Sequence, residues 1–167
     1  CGLDSSKDCF ITNCVYARPP GNRDPTSSEL LAYSQYVRRM ILLIKPLLIV
    51  CLGRISSTLI NCCADVNRMY LTQNVKEQMA QPTGMFSTIR DEGQMKVVCV
   101  LDGSFQNGTY VKRSQNRHLC RMVVMRHPSA LLRIKNNSKK EREISLWKAR
   151  FFKSIDVMKS AASRDQE

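Results

Sequence analysis

Residues 9–29, "CFITNCVYARPPGNRDPTSSE", carry the local signals that decide the fold. The segment Cys9–Val15 is apolar and rich in strand-favouring residues, which predicts a buried strand. A basic loop with three prolines follows, and the fixed φ angles of proline make it rigid. Thr26 and Glu29 have the spacing of a capping box, in which two side chains satisfy backbone amides at a helix start. The stretch therefore predicts a strand, a rigid loop and a helix in that order.

The residues that follow extend this pattern into an α/β layout. Apolar residues recur at helical spacing through Lys45, and Pro46 ends the predicted helix. The run "LLIVCLG" (47–53) has the length and continuous apolar character of a parallel strand that is covered on both faces. Gly53 then allows a tight turn into a short helix over Arg54–Asn61. Alternation of strands and helices predicts an α/β layered fold.

The second half of the chain has weaker signals until its end. A strand is predicted at "MKVVCVL" (95–101), before a basic, hairpin-like region rich in Gly, Asn and Ser. "CRMVVM" (120–125) predicts a buried strand that leads directly into "RHPSALLR" (126–133). A long helix is predicted from about Lys139 to Ala161, with one apolar stripe and a basic remaining surface.

Charge and cysteine usage limit the partners and the compartment. Lys and Arg outnumber Asp and Glu by 26 to 14, so the net charge is +12, which favours a polyanionic partner. We predict nucleic acid, although charge alone does not distinguish DNA from RNA. The eight cysteines form no CxxC pair, which favours free thiols in a reducing intracellular compartment. No run reaches the roughly 18 apolar residues of a membrane-spanning helix, so no membrane partner is predicted.

Three segments together resemble the uracil-DNA glycosylase superfamily, and in particular its iron–sulfur-containing branch, family 4. "FITNCVYARPPGNRDPTSSE" (10–29) is similar to that family's strand–Asn–loop motif. "KPLLIVCLGRIS" (45–56) is similar to its strand–Gly–helix segment, and "HPSALLR" (127–133) to its late histidine motif. The motifs occur in the family's order and in the matching secondary-structure context.

The resemblance implies a fold and a domain plan. We expect an α/β three-layer sandwich with a central, mostly parallel sheet, as in a uracil-DNA glycosylase. One such domain, present in part, would span residues 1–167. Residues 61–118 are longer than the family usually has there, and we interpret them as an insertion that serves a new partner or is loosely ordered. The basic helix at about 139–161 would end the domain.

The resemblance also assigns site residues. Asn13 would read the Watson–Crick edge of a flipped uracil, because a side-chain amide both donates and accepts hydrogen bonds. His127 would hydrogen-bond the uracil oxygen on which negative charge develops as the glycosidic bond breaks. The plainer alternatives are that Asn13 is a turn cap and that His127 only begins a helix.

Four further residues are predicted to contact nucleic acid. Arg18 and Arg23 lie in the rigid loop and are candidates for phosphate contacts. Ser129 and Arg133 are predicted to begin the helix that follows His127, where free N–H groups and a cation could hold a phosphate. The alternative for the two loop arginines is that they are simply solvated.

Two departures from the family count against enzyme activity. Members carry a loop resembling "GExPG" near their start, with the acid that aligns the attacking water, and nothing similar occurs in residues 1–167. The chain starts at Cys1, just before the second motif, so we expect the domain to be N-terminally incomplete. The resemblance places two iron–sulfur ligands at Ala17 and Tyr33, which are not cysteines, so no cofactor is predicted.

Three hypotheses follow for the function. The first is a non-catalytic, glycosylase-like module that binds nucleic acid within a large ribonucleoprotein, such as a divergent mitochondrial ribosome, among other proteins. The second is an active uracil-DNA glycosylase of which this chain is a fragment, with the remainder on another polypeptide or removed. The third is an unrelated basic α/β domain. We prefer the first, because the missing loop and the replaced ligand positions weigh against catalysis. The role of Cys62 and Cys63 stays open.

Overall fold

The computed structural model describes residues 3–4, 6–63, 93, 95–106 and 109–164. A short 3-10 turn at Pro20–Asn22 precedes the regular elements. In chain order these are helix α1 (Ser27–Ile44), strand β1 (Leu48–Leu52), helix α2 (Arg54–Cys63), strands β2 (Met95–Gln106) and β3 (Thr109–Met125), and helices α3 (Pro128–Leu132) and α4 (Asn137–Arg164). The predicted α/β class is confirmed.

The three described strands form one sheet in the order β1–β3–β2. β1 pairs with β3 in parallel, from Leu48 opposite Arg121 to Leu52 opposite Met125. β2 and β3 form a long antiparallel hairpin with an irregularity between Leu101 and Gly103. The described sheet is therefore mixed, whereas a mostly parallel sheet was predicted. The difference arises because β2 and β3 are joined as a hairpin, which reverses the chain direction.

Helices pack on both faces of the last part of β3, which gives the expected layers. Residues on one face of β2 and β3 join the core cluster with α1 and α2. This face carries the buried residues Val98, Val100, Cys120, Met122 and Val124. The alternate residues Val123 and Met125 are also fully buried, and α4 packs on β3. The continuous apolar run Met122–Met125 at the end of β3 follows from this two-sided burial.

The prediction of a buried strand over Cys9–Val15 was wrong. This segment is irregular, and Phe10 and Ile11 are 62% and 86% exposed. Cys14 and Val15 still pack against the core cluster. A strand requires a hydrogen-bonded neighbour, and none of the described strands pairs with this segment. Asn13 consequently lies on a loop rather than at a strand end.

The predicted helices are present, and the last one is longer than expected. α4 spans Asn137–Arg164, beyond both ends of the predicted 139–161 helix. Described parts of the region 61–118 belong to α2 and to the β2–β3 hairpin, while residues 64–92 lie outside the described residues. The interpretation of this region as an insertion stays a prediction. None of the described helices is long and apolar enough to span a membrane.

Candidate functional site at the carboxyl edge of the parallel strands

The parallel pairing of β1 and β3 brings the ends of these two strands to one edge of the sheet. The N–H of Gly53, directly after β1, donates to the carbonyl of Met125 at the end of β3 over 2.8 Å. Gly53 has a φ of +91°, and a Cβ added there would lie 3.3 Å from the Cβ of His127. The turn after β1 thus packs directly against His127, and a glycine is required for this approach. Ligands of α/β sheets bind at this carboxyl edge.

His127 is held by the first turn of α3. The backbone N–H of Ser129 donates to His127 Nδ1 over 3.2 Å, and Ser129 Oγ lies 2.8 Å from the same nitrogen. A backbone N–H can only donate, so Nδ1 must accept and the Ser129 hydroxyl donates to it. The proton of the neutral ring is then on Nε2. The exposed imidazole of His127 therefore has one N–H to offer to an acceptor.

The proline-rich loop is tied to two helix starts. Arg23 donates to both carboxylate oxygens of Glu29 over 2.8 Å and to the carbonyl of Asp24 over 3.0 Å. The carboxylate of Asp24 accepts from Arg54 at the start of α2 over 3.1 Å. Arg54 directly follows Gly53, so this ion pair places the loop beside the turn that packs on His127.

The predicted site residues differ in how far the structure brings them together. His127 and Ser129 are in direct contact, and Arg23 is paired with Glu29 in the first turn of α1. Asn13 is exposed on the segment before the proline-rich loop, and Arg18 is exposed in the loop itself. No described residue hydrogen-bonds the side chain of Asn13. The assigned roles in base and phosphate recognition stay predictions for each of these residues, as does the role of Arg133, which is exposed at the end of α3.

Asp24 and Arg54 are structural residues of this site that the sequence did not single out. They are distant in sequence and meet only because the β1–α2 turn lies beside the loop. The sequence did predict the tight turn at Gly53, but not its contact with His127. That contact depends on the pairing of β1 with β3, which no local signal reveals.

Positions 17 and 33, where the resemblance implies iron ligands, are in contact. The N–H of Ala17 donates to the Tyr33 hydroxyl over 3.2 Å. Iron–sulfur clusters need thiolates, which neither a methyl group nor a phenol supplies. The nearest thiol in sequence, Cys14, is partly buried, and this burial raises its pKa and disfavours the thiolate. The described residues also contain no group of three or more His, Cys, Asp or Glu side chains that could hold a metal. Positions 17 and 33 therefore supply no thiolate ligand, and the absence of a cofactor stays a prediction.

The fold and the site define an α/β protein with a histidine at the carboxyl edge of parallel strands, beside a rigid basic loop. The model of the Uracil DNA glycosylase superfamily matches residues 2–149. The chain belongs to this superfamily.

The chain is also similar to curated relatives over a shorter segment. It is 52% identical over 54 residues to the Type-4 uracil-DNA glycosylase of Saccharolobus solfataricus, which covers 32% of this chain and 25% of that protein. It is 44% identical over 54 residues to the Type-4 uracil-DNA glycosylase of Archaeoglobus fulgidus, with 32% and 27% covered. The Sulfurisphaera tokodaii enzyme of the same name is 54% identical over 48 residues, with 29% and 22% covered. The matched segment spans about a quarter of the length of these relatives.

Proposed function

We propose that this chain is the base-recognition part of a uracil-DNA glycosylase, which hydrolyses the N-glycosidic bond of uracil in base-excision repair. The observation that carries this proposal is the placement of His127. The chain belongs to the uracil-DNA glycosylase superfamily. Its His127 lies at the carboxyl edge of the parallel strands and packs on Gly53, and the hydrogen bond from Ser129 fixes the tautomer of the ring. The names of the relatives support glycosylase activity over a ribosomal role.

His127 would stabilise the charge that develops on the base. When the glycosidic bond breaks, the bonding electrons move onto uracil and negative charge collects on its carbonyl oxygen. An Nε2–H directed at this oxygen stabilises the transition state more than the ground state, because the charge is larger there. The hydrogen bonds from Ser129 orient the ring in advance, so no reorganisation is needed during the reaction.

Asn13 would read the flipped base. Its amide carbonyl can accept from uracil N3–H while its NH₂ group donates to the neighbouring carbonyl oxygen. The amide is exposed, so a flipped base can reach it.

The phosphates beside the flipped nucleotide would be contacted by cations around this edge. Arg18 and Arg133 are exposed and suited to this role. Arg23 would contact a phosphate while it remains paired with Glu29. The Ser129 hydroxyl could donate to a phosphate only if it no longer donates to His127. Such contacts position the strand without reading its sequence.

The attacking water requires an orienting acid, which the family carries in the loop resembling "GExPG". We propose that this group comes from sequence outside residues 1–167, where that loop would complete the pocket. We also propose a reducing intracellular compartment, because Cys51, Cys62, Cys63 and Cys120 are buried, where a free thiol packs as a small hydrophobic side chain. The ribonucleoprotein hypothesis shares the nucleic-acid partner, but none of the glycosylase relatives supports it.

The test is excision of uracil from a single-uracil oligonucleotide, using this chain together with any polypeptide that co-purifies with it. Alkali cleaves the abasic product and reveals the reaction. We expect His127→Ala to lower the rate by about 10²–10³-fold, and Asn13→Ala by about 100-fold through the loss of two hydrogen bonds.

The matched control is Asn137→Ala, which removes an exposed amide from the start of α4 and should leave the rate unchanged. Tight binding of RNA without any release of uracil would contradict the proposal and would favour the ribonucleoprotein hypothesis.

A further inference from the structure

The segment that carries Asn13 lacks the hydrogen bonds of regular structure. Among the described residues, no backbone–backbone hydrogen bond involves residues 9–18. A loop without such bonds samples many conformations unless side chains hold it. A base-reading amide must nevertheless be held at a fixed position, because hydrogen-bond recognition tolerates only small displacements. Some other feature must therefore fix Asn13.

Three tyrosines connect this segment to α1, and we call them the tyrosine brace: Tyr16, Tyr33 and Tyr36. The ring centroids of Tyr16 and Tyr33 are 5.9 Å apart, and those of Tyr33 and Tyr36 are 6.3 Å apart. Both separations lie within the range of favourable aromatic pairs. Tyr33 and Tyr36 are on neighbouring turns of α1, so the brace rests on a regular helix.

Hydrogen bonds from the brace reach both sides of Asn13. The Tyr16 hydroxyl lies 2.7 Å from Thr12 Oγ1, and it also lies 3.4 Å from the sulfur of Met40 in α1. The Tyr33 hydroxyl accepts the N–H of Ala17 over 3.2 Å. Asn13 therefore lies in a short loop that is attached at Thr12 and at Ala17.

We propose that Tyr33 is a positioning residue for Asn13. The tyrosine brace holds the Asn13 segment against α1, as an iron–sulfur cluster with ligands at positions 17 and 33 would. A cluster with ligands at these two positions would tie the segment to α1 through metal–sulfur bonds. Here a single hydrogen bond and contacts between tilted aromatic rings make the same connection without metal. This inference rests on the proposed function for its consequence in base recognition, but the brace itself does not depend on it.

The first experiment measures the brace directly. Tyr33→Phe keeps the ring and removes the hydroxyl, so the Ala17 N–H loses its acceptor. We expect amide hydrogen exchange at Ala17 to accelerate about five- to tenfold, the change that corresponds to one net hydrogen bond. The thermal midpoint and the exchange of β3 amides should not change.

Tyr36→Phe is the matched control, because the same chemical change is made one turn further along α1. No described residue hydrogen-bonds the Tyr36 hydroxyl, and this residue is 53% exposed. Exchange at Ala17 should therefore stay at the level of the unmodified protein. If the amide of Ala17 exchanges at the same rate in Tyr33→Phe, in Tyr36→Phe and in the unmodified protein, the tyrosine brace does not hold this segment.

The second experiment measures recognition. The affinities of the protein for a uracil-containing and a thymine-containing oligonucleotide are compared as a ratio, which general destabilisation leaves unchanged. We expect Tyr33→Phe to lower this ratio at least about threefold, whereas Tyr36→Phe does not. A ratio that stays unchanged in Tyr33→Phe, while exchange at Ala17 rises, would overturn the positioning role.

The two experiments separate this inference from the proposed function. If the unmodified protein shows no preference for uracil, the proposed function fails, and the exchange measurement still decides whether the brace exists. A third measurement addresses the metal: anaerobic treatment of the protein with ferrous iron and sulfide, followed by iron analysis. We expect no bound iron. If the unmodified protein binds stoichiometric iron and the Cys14→Ala variant does not, the proposal that the tyrosine brace replaces a cluster is wrong.

Discussion

The guanidinium of Arg38 lies in the core, with 1% of the residue exposed. It donates to the carbonyls of Cys62, Gly103 and Cys63 over 2.6, 2.7 and 3.3 Å. Two of these carbonyls belong to the last turn of α2, where a helix leaves its carbonyls without internal partners. A cation at this end also interacts favourably with the helix dipole. Arg38 thus joins α1, α2 and β2 at one point.

We expect Arg38→Met to lower the free energy of unfolding by about 3 kcal/mol, because three buried carbonyls lose a charged donor. Chemical denaturation monitored by circular dichroism measures the change. Arg39→Met is the matched control, since Arg39 is exposed and next in sequence, and its loss should change stability by no more than about 0.5 kcal/mol. A loss of less than about 1 kcal/mol for Arg38→Met would show that the carbonyls find other partners.

Single residues were predictable where their role is local. The turn at Gly53 was predicted from the apolar run before it, and His127 from the resemblance of its motif to the family's late histidine motif; the structure places the two residues together. Arg38 was not recognised, although it lies on the same helical face as Val37 and Ile41. Its neighbour Arg39 has the same chemistry on the exposed face. Periodicity could have separated the two arginines, but the three carbonyl partners of Arg38 come from remote segments and are not encoded locally.

At the scale of elements, α1 begins with a capping box that the structure confirms. The Thr26 N–H donates to Glu29 Oε2 over 2.6 Å, and the Glu29 N–H donates to Thr26 Oγ1 over 3.3 Å. Arg23 adds a bidentate ion pair to the same carboxylate. The hydrogen bonds from Arg23 and then those from Thr26 lower the pKa of Glu29 to about 2.

This pKa predicts how the stability depends on pH. A carboxyl group whose pKa is lower in the folded than in the unfolded state stabilises the fold above the unfolded value, near 4.5, and this contribution is lost as the pH falls towards 2. We expect Glu29→Gln to be less stable than the unmodified protein at pH 7, with a difference that narrows between about pH 4.5 and 2. Thermal unfolding across this range measures it. A difference that is independent of pH would contradict the ionic role of Glu29.

Helices were easier to predict than strands in this chain for a physical reason. The start of α1 and its end before Pro46 depend on residues within a few positions, so the sequence contains the whole signal. The segment Cys9–Val15 has strand-forming residues, yet it forms no strand, because the required partner is a matter of tertiary structure. A hairpin-like region was predicted after residues 95–101, but the mixed character of the described sheet depends on which strands pair and was not predicted.

At the scale of the whole molecule, some arginines form ion pairs with acidic residues and others form none among the described residues. Arg23, Arg54 and Arg126 form ion pairs with Glu29, Asp24 and Glu143. At the other end of the sheet, Arg39 and Arg113 line a groove of about 390 Å³ together with Asp102 and Asn116. Neither arginine forms an ion pair with a described residue. Cations without an acidic partner are the ones that can neutralise phosphates and release counterions.

We therefore expect the groove to contribute to nucleic-acid binding. The affinity for a single-stranded oligonucleotide should fall with salt, and each phosphate contact contributes about 0.7 to the slope of log K against log salt. Arg39→Gln/Arg113→Gln should reduce the magnitude of this slope by about 1.4. Fluorescence anisotropy at several salt concentrations measures it.

The control for this prediction removes the same charge from another basic surface. Lys139→Gln/Arg142→Gln changes two exposed cations in the first part of α4 and should leave the slope nearly unchanged. If both double variants reduce the slope equally, binding depends on net charge alone and the groove has no special role. If only the α4 variant reduces it, the strand follows the basic helix instead. A selective effect of the groove variant would mean that nucleic acid extends along the hairpin, away from the edge that carries His127, because β3 runs between the two.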